Sequence, residues 1–467
     1  MLFSSMTFLG FFPAVFLVHW LLPQARWRHY WLLAASVVFY GSWSWKCLAL
    51  LAANGAINYF LVLAIENAQT DRARRRLLLS VLAVNLGQLA LFKYADFFST
   101  NLAALLNAGS LHVTPVLLHL VLPLGISFYT FEFIAYAVDV YRRHAHARRD
   151  PLHVALYTLF FPRLVAGPIV RPNEFFPQLE RPRRFSWLRT QLGLQLFVWG
   201  FFKKTCVADP LALAIDPFYA DPAAFSTLAA WLAVLGYSVQ LYCDFSGYSD
   251  MAIGLGHLVG VRLPQNFRLP YLATDIRDFW QRWHLSLSRW IRDYLYISLG
   301  GNRVSAARQA INLIAVMGVC GFWHGAQWTF IAWGCLHGLL LAIHRATPWP
   351  TWLSTSVGRA VCIAGTYMVV ALAWVLFRAE GLASAATIYG RLFAPTSGAL
   401  FDAQMLAVLA LCLAAGLLMH LGALELRWRD IERRLSPIAV GAVWVLFTVL
   451  IHALIPQSAA PFIYFQF

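Results

Sequence analysis

Charged residues are scarce in this sequence. Of its 467 residues, 12% are charged and 60% are hydrophobic. Soluble domains carry about 25% charged residues, so this chain has too few of them to cover the surface of a soluble protein of its size. The scarcity argues against an ordinary soluble enzyme and predicts an integral membrane protein.

Paired-cysteine motifs are also missing. The chain has 7 Cys, an odd number, mostly within apolar stretches and without a Cys-x-x-Cys pair. Neither a disulfide framework nor a zinc site is therefore indicated. The sequence has no tandem repeat or long linker, and its first residues lack the positive charges of a secretory signal. We expect residues 1–467 to form a single integral membrane domain whose first helix is retained.

Acidic residues are fewer than basic ones, 21 against 36, which gives a net charge of +15. Nucleic-acid binding is a poor explanation for this charge, because no soluble basic domain is present to carry it. The basic residues instead cluster in short segments between apolar stretches, and the positive-inside rule assigns most of these segments to the cytoplasm. The clusters are 72–76, 142–149, 181–189, 277–308 and 427–434.

Long apolar stretches are abundant. A helix needs about 20 residues to cross a bilayer, and several of the stretches are short or interrupted. The sequence therefore predicts an all-α polytopic membrane protein with about 11 to 13 transmembrane or re-entrant helices. The stretches are 8–22, 30–45, 47–65, 77–92, 113–133, 154–170, 192–202, 228–242, 251–263, 311–343, 360–377, 405–421 and 438–455.

One histidine, His324, lies in the middle of the uncharged stretch 311–343. As one helix this stretch would be about 50 Å long, too long for a ~30 Å hydrocarbon core, so we expect it to tilt or to break near residues 321–325. An ionisable residue at membrane depth is by default a candidate functional residue. The alternative is a structural histidine that hydrogen-bonds a neighbouring helix.

Aromatic residues recur in the most basic segment. Trp280, Leu287 and Tyr294 are seven residues apart, as are Trp283 and Trp290. This spacing predicts an amphipathic helix in the cytoplasmic interface, with its rings buried and its guanidinium groups in water. The segment is either a surface anchor or a phosphate-binding site, since arginine offers fixed planar charge to phosphate oxygens. The candidate phosphate-binding residues are Arg282, Arg289, Arg292, Asn302 and Arg303.

Polar residues also interrupt the apolar sequence at 242–250. Such groups are costly to bury in lipid unless they face a cavity or one another. No Gly-x-Ser-x-Gly motif surrounds Ser246, so the spacing does not favour a serine nucleophile. We predict instead that polar residues of this segment line a tunnel or orient a histidine; they are Asp244, Ser246, Tyr248 and Asp250. Two neighbours of His324, Trp323 and Gln327, are assigned the same possible roles.

Three of these motifs resemble the signature of the membrane-bound O-acyltransferases, in particular the bacterial alginate O-acetyltransferase branch. They are Phe-Trp-Gln-Arg-Trp-His (279–284), Arg-Asp-Tyr-Leu-Tyr-Ile-Ser-Leu-Gly-Gly-Asn-Arg (292–303) and Gly-Phe-Trp-His-Gly-Ala-Gln-Trp (321–328). Segments 122–128, 161–168, 244–250 and 461–467 agree, so the resemblance covers nearly the whole chain and is densest at 237–345.

The resemblance implies helices around a central tunnel and an O-acetyltransferase that uses cytoplasmic acetyl-coenzyme A as donor substrate, with no metal and no other cofactor. His324 matches the intramembrane histidine of the family and His284 its second histidine. A neutral imidazole can accept the proton of an attacking hydroxyl, and desolvation disfavours the imidazolium, so we expect His324 to be the general base, with Asp244 or Tyr248 as orienter. His284 is either an accessory site residue or the cap of a backbone carbonyl.

The resemblance also implies an acceptor outside the cytoplasm of a bacterial cell, reached through the inner membrane. The expected acceptor is an exported polysaccharide of alginate or cellulose type, acetylated with a periplasmic acetyltransferase partner. Peptidoglycan and D-alanyl transfer to teichoic acid are alternatives, and a transporter or flippase is the rival of another class. The aromatic tail 461–467 would dock the partner or anchor in the interface, and we prefer the anchor.

Overall fold

The computed structural model describes residues 1–181, 183–347, 355–420 and 436. Its regular elements are helices, and no strand is formed within these ranges. The helices are α1 (Met6–Leu21), α2 (Ala25–Gly41), α3 (Trp45–Asn67), α4 (Asp71–Leu89), α5 (Ala95–Ala108), α6 (Ile126–Tyr141), α7 (Pro151–Leu159), α8 (Phe161–Leu164), α9 (Pro172–Glu180), α10 (Trp187–Phe202), α11 (Asp209–Ala220), α12 (Thr227–Leu258), α13 (Ile276–Trp280), α14 (Leu285–Trp290), α15 (Ala306–His324), α16 (Trp328–Ala346), α17 (Ser356–Arg378), α18 (Leu382–Phe393) and α19 (Ala403–His420). Wider π-helical turns occupy Ala90–Tyr94, Lys203–Ala208 and Ile291–Tyr296.

Seven helical segments in the described part of the chain are long and apolar enough to cross a membrane, which confirms the all-α polytopic fold. They are Trp45–Asn67, Asp71–Ala108, Thr227–Leu258, Ala306–His324, Trp328–Ala346, Ser356–Arg378 and Ala403–His420. Other predicted stretches form shorter helices, and the stretch 438–455 and the basic cluster 427–434 lie outside the described residues. The larger number of crossings stays a prediction.

Three predicted crossings are wrong in their boundaries. The stretch 113–133 is helical only from Ile126, because Pro115 and Pro123 lack the amide proton a helix needs and Gly125 is left-handed, with a φ of 74°. The stretch 228–242 and most of 251–263 instead belong to α12 (Thr227–Leu258), a single helix of 32 residues. The polar residues 242–250 therefore lie within one helix.

The chain divides into two compact units, one of Met1–Phe197 with Met251–Gln265 and one of Val198–Asp250 with the described residues from Asn266 onward. In the first unit, α3 and α4 share buried amides. Asn54 Nδ2 donates to Gln88 Oε1 at 2.7 Å, and Asn85 Nδ2 donates to Asn58 Oδ1 at 2.7 Å. Side-chain amides that pair across two helices satisfy polar groups that lipid cannot. The single domain 1–467 stays a prediction.

A buried ion pair stabilises the loop segment 160–170 of the same unit. Arg163 pairs with Glu132 on α6, and its guanidinium lies over the ring of Tyr157 at 4.6 Å. Tyr157 in turn donates its hydroxyl proton to the carbonyl of Val170 at 2.9 Å. Charges are retained in an apolar interior when they are paired in this way, so these contacts explain the arginine within the apolar stretch 154–170.

In the second unit, the apolar run 311–343 is broken into the antiparallel pair α15 and α16, which confirms the predicted break. Helix α15 ends at His324 and α16 begins at Trp328. Glycines let the two backbones approach closely, since a methyl group at Gly321 would overlap the carbonyl oxygen of Phe330 and one at Gly334 that of Met317. The close packing fixes the position of His324 at the end of α15.

Gly334→Ala is expected to destabilise the protein, because the added methyl group meets backbone rather than a movable side chain. Overpacking of this kind costs about 1–3 kcal/mol. Gly365→Ala in α17 is the matched control, since no described atom lies within 4 Å of its methyl position. Thermal unfolding in detergent should show a lower transition temperature for Gly334→Ala alone. Equal transition temperatures for the two variants would contradict the close approach.

Candidate active site

Aromatic rings from three helices surround His324. The residue is buried, with 4% of its surface exposed. Its ring centroid lies 4.8 Å from Trp323 of α15, 5.4 Å from Trp333 of α16 and 5.3 Å from Phe377 of α17. The turn after α15 therefore places an ionisable ring inside an apolar cluster, and the sequence pattern did not identify Trp333 or Phe377 as parts of it.

The predicted continuous amphipathic helix is wrong. Helix α13 ends at Trp280 and α14 begins at Leu285, and between them His284 adopts a left-handed backbone with φ 45° and ψ 54°. A left-handed residue cannot lie inside a right-handed helix. The seven-residue repeat is still buried on one side, since Trp280, Leu287 and Tyr294 are all buried. The pattern therefore predicted the buried face but not the break.

Buried Asn266 fixes this break. The amide of Leu285 donates to the carbonyl of Asn266 at 2.9 Å, and the hydroxyl of Ser286 donates to Asn266 Oδ1 at 2.6 Å. Asn266 Nδ2 donates to the hydroxyl of Ser249 on α12 at 3.1 Å. These bonds occupy donors at the start of α14 that a helix terminus leaves unpaired, so the turn that carries His284 is stabilised from outside its own helix.

His284 is completely buried, with 0% of its surface exposed. Neither ring nitrogen has a hydrogen-bond partner on another residue of the described chain. Burial lowers the pKa of His284 to about 3, which keeps the ring neutral at physiological pH. An unpaired buried polar group costs about 1–3 kcal/mol, and together with the left-handed backbone it marks a candidate functional residue.

The structure brings the two predicted histidines together around one indole ring. The ring of Trp323 lies 4.8 Å from that of His324 and 6.4 Å from that of His284. The ring of Phe245 on α12 also lies 4.7 Å from that of His284 and is nearly perpendicular to it. We call these four rings, together with that of Trp333, the histidine cluster: Phe245, His284, Trp323, His324 and Trp333.

The carboxylates of α12 pair with lysines that the sequence analysis missed. Lys204 Nζ lies 2.6 Å from Asp244 Oδ1 and 2.7 Å from Asp209 Oδ1. Lys203 Nζ lies 2.8 Å from Asp250 Oδ2. The available signal was two adjacent lysines directly after the apolar stretch that ends at residue 202. Asp244 therefore has a cationic partner, and its role as orienter of a histidine stays a prediction.

The remaining predicted site residues differ in their surroundings. The hydroxyl of Ser246 is buried and has no hydrogen-bond partner among the described residues, and Tyr248 is buried. Gln327, in contrast, is exposed at the start of α16 and accepts a weak hydrogen bond from Thr329 at 3.5 Å. Ser246 therefore fits the predicted polar lining better than Gln327 does.

Among the predicted phosphate-binding residues, two arginines have acidic neighbours. Arg282 Nε donates to Asp278 Oδ1 at 2.7 Å, and Arg292 Nε donates to Asp293 Oδ1 at 2.6 Å. Arg289 is half-buried, whereas Arg292 is exposed. An exposed pair of this type contributes little to stability.

Asn302 lies beside a basic residue that the sequence analysis did not select. Its side-chain oxygen accepts hydrogen bonds from Tyr296 at 3.0 Å and from Arg345 of α16 at 2.9 Å. Arg303 is exposed next to it. The residues Asn302, Arg303 and Arg345 therefore form one polar surface at the start of α15 and the end of α16.

Helices long enough to cross a membrane and two histidines in a buried cluster define a membrane-embedded enzyme. The sequence model of the MBOAT, membrane-bound O-acyltransferase family matches residues 76–384. The chain is 40% identical over 495 residues to the probable alginate O-acetylase of Pseudomonas putida, with 100% of both chains covered. It is 43% identical over 403 residues to the protein of that name from Pseudomonas aeruginosa, covering 84% of this chain and 75% of the relative. It is 40% identical over 417 residues to the peptidoglycan O-acetyltransferase of Helicobacter pylori, covering 82% and 78%.

The chain belongs to the membrane-bound O-acyltransferase family. It is accordingly an O-acyltransferase that crosses the membrane several times.

Proposed function

We propose that this protein is an O-acetyltransferase of a bacterial inner membrane, which takes acetyl groups from cytoplasmic acetyl-coenzyme A for O-acetylation of an exported polysaccharide of alginate or cellulose type. The observation that carries the proposal is the pair His284 and His324 around Trp323, inside a unit whose helices are long enough to span the bilayer. The relatives from Pseudomonas are probable alginate O-acetylases, which supports both the acetyl group and the polymer.

In the proposed reaction His324 is the general base. It accepts the proton of the acceptor hydroxyl as the hydroxyl oxygen attacks the thioester carbonyl, the C–S bond breaks, and the proton passes to the sulfur of coenzyme A. Positioned acid-base groups of this type contribute about 10² to 10⁴ in rate. His284 is a neutral donor: its ring keeps one N–H, since burial lowers its pKa to about 3, and this N–H is suited to stabilising the thioester oxygen as negative charge develops there.

Replacing Arg289 and Arg292 together by Gln is expected to weaken acetyl-coenzyme A binding about a hundredfold or more, because each charge-assisted hydrogen bond to phosphate is worth about 1.5–3 kcal/mol and about 1.4 kcal/mol is a factor of ten in affinity. Binding of the donor to purified protein, measured by calorimetry, checks this. Arg75→Gln, at an exposed position of α4, is the matched charge control. Asp293→Asn removes the acid beside Arg292 and should leave affinity equal or higher. Unchanged affinity in the double variant would reject donor binding by these arginines.

Two candidate functions share the O-acetyl transfer reaction and differ in the acceptor. Peptidoglycan is the second candidate, because the relative from Helicobacter pylori is named a peptidoglycan O-acetyltransferase and is as similar as the relative from Pseudomonas putida, at 40% identity. In the polysaccharide case we propose that a periplasmic acetyltransferase partner completes the transfer. The tail 461–467, for which the sequence favours an anchor in the interface, lies outside the described residues.

Transfer of labelled acetyl from acetyl-coenzyme A tests the function. Membranes that contain the protein are incubated with the donor, and exopolysaccharide, peptidoglycan and periplasmic proteins are each assayed for label. Label in exopolysaccharide supports the proposal, and label in peptidoglycan supports the second candidate. Label held by a periplasmic protein identifies the partner. If no fraction carries label despite good expression, acetyl-coenzyme A is not the donor.

A further inference from the structure

A buried hydrogen bond connects the segment that carries His284 to the helix pair that carries His324. Trp280, the last residue of α13, donates its indole N–H to Nδ1 of His337 on α16 at 3.3 Å. His337 is completely buried. His284 lies four residues after Trp280, and α16 follows directly from the turn at His324. The bond therefore joins the chain segment that contains His284 to the helix pair that contains His324.

Aromatic packing extends this contact to the histidine cluster. The ring of His337 meets that of Trp280 at 5.3 Å and that of Trp333 at 4.9 Å, both edge to face. Trp333 also contacts the ring of His324 at 5.4 Å. Packed rings transmit a displacement because interiors have few voids, so a shift of α13 against α16 would change the separation of His284 and His324.

The hydrogen bond also defines which nitrogen of the neutral His337 ring carries the proton. Since Nδ1 accepts the indole proton, the neutral ring carries its own proton on Nε2, and Nε2 has no partner among the described residues. A purely structural histidine in an apolar interior would satisfy both nitrogens, because an unpaired one costs about as much as the bond gains. A leucine or phenylalanine would pack as well without this cost.

We propose that His337 is a positioning residue for the transfer reaction, which fixes Trp280 and thereby the distance between His284 and His324. The kinetic consequence rests on the proposed function, whereas the hydrogen bond itself does not. Displacements of about 1 Å in an active site can cost about 10²-fold in rate. His337 touches neither donor nor acceptor in this proposal, so its loss should lower kcat and leave KM for the donor unchanged.

Four full-length variants test the proposal: His337→Phe, His337→Gln, Trp280→Phe and the double variant His337→Phe/Trp280→Phe. We expect kcat to fall about 10²-fold in His337→Phe, with KM for acetyl-coenzyme A unchanged. His337→Gln keeps a hydrogen-bond acceptor and should recover most of the lost rate. The double variant should be no slower than the slower single variant, because both remove the same bond. His112→Gln, at an exposed position, is the control.

An activity-independent measurement separates this proposal from the proposed function. In protein labelled with [15N]tryptophan, the indole N–H signal of Trp280 is assigned by its loss in Trp280→Phe. It should move in His337→Phe and stay in place in His112→Gln, even if acetyl-coenzyme A is not the donor. An unmoved signal overturns the hydrogen bond. The positioning role is overturned if His337→Phe keeps the wild-type kcat or if His337→Phe and His337→Gln have equal rates. It is also overturned if the rate losses of the two single variants multiply in the double variant.

Discussion

His324→Ala is expected to lower the rate of acetyl transfer by about 10² to 10⁴, the contribution of a positioned general base. Alanine removes the proton acceptor and leaves the attacking hydroxyl protonated, since the three aromatic rings around position 324 offer no replacement base. The rate is measured with labelled acetyl-coenzyme A and purified protein or membranes of matched protein content. KM for the donor should change little, because the imidazole acts on the acceptor.

The loss of a buried ring can also destabilise the protein, so His324→Gln is the companion variant. Glutamine keeps a polar side chain at the end of α15 but does not accept a proton at neutral pH. Both variants should lose about 10² to 10⁴ in rate, and His324→Gln should unfold at nearly the wild-type temperature. Transfer at the wild-type rate by either variant at normal expression would exclude His324 as the base.

The fold was predictable where hydrophobicity alone decides it. The run 311–343 exceeds the bilayer thickness, so its break near His324 followed from length, and α15 and α16 meet there at Gly321 and Gly334. The stretch 113–133 was not predictable in the same way, because its apolar composition is compatible with irregular backbone and only Pro115 and Pro123 indicated the late start of α6. Apolar composition sets whether a segment enters the membrane, whereas prolines and glycines set where its helix begins.

The candidate site was predictable as far as its motifs are local. His324, Trp323 and His284 were found from short motifs, and the structure places them around one indole ring. The left-handed backbone of His284 was not predictable, because Asn266 imposes it from a distant part of the sequence. A seven-residue repeat assumes a continuous helix and contains no information about such external bonds.

The partners of the buried carboxylates were missed for the same reason. Asp244 was selected as the orienter of a histidine, whereas its carboxylate lies 2.6 Å from Lys204, forty residues earlier on a π-helical turn. The lysine also pairs with Asp209 at 2.7 Å. Sequence identifies that a charge is buried, but the pairing depends on which helices pack together.

Lys204→Met is expected to destabilise the protein more than any other substitution proposed above, because it leaves Asp209 and Asp244 buried without their shared cation. Removal of one partner from a buried ion pair costs about 3–5 kcal/mol, a large part of the stability of an ordinary protein. The yield of monodisperse protein and its unfolding temperature in detergent should both fall sharply. Lys46→Met, at an exposed position, is the control and should change neither quantity.

The triple variant Lys204→Met/Asp209→Asn/Asp244→Asn should recover the stability that Lys204→Met loses, since replacing a whole buried ionic group by neutral residues is often tolerated. Continued instability of the triple variant would contradict the charge argument and indicate that the lysine stem is required for packing. Its activity then decides the role of Asp244. A folded triple variant that transfers acetyl at the wild-type rate would show that the carboxylate acts only through stability, whereas a folded and inactive one, with Asp209→Asn alone active, would leave Asp244 as the orienter of the catalytic histidine.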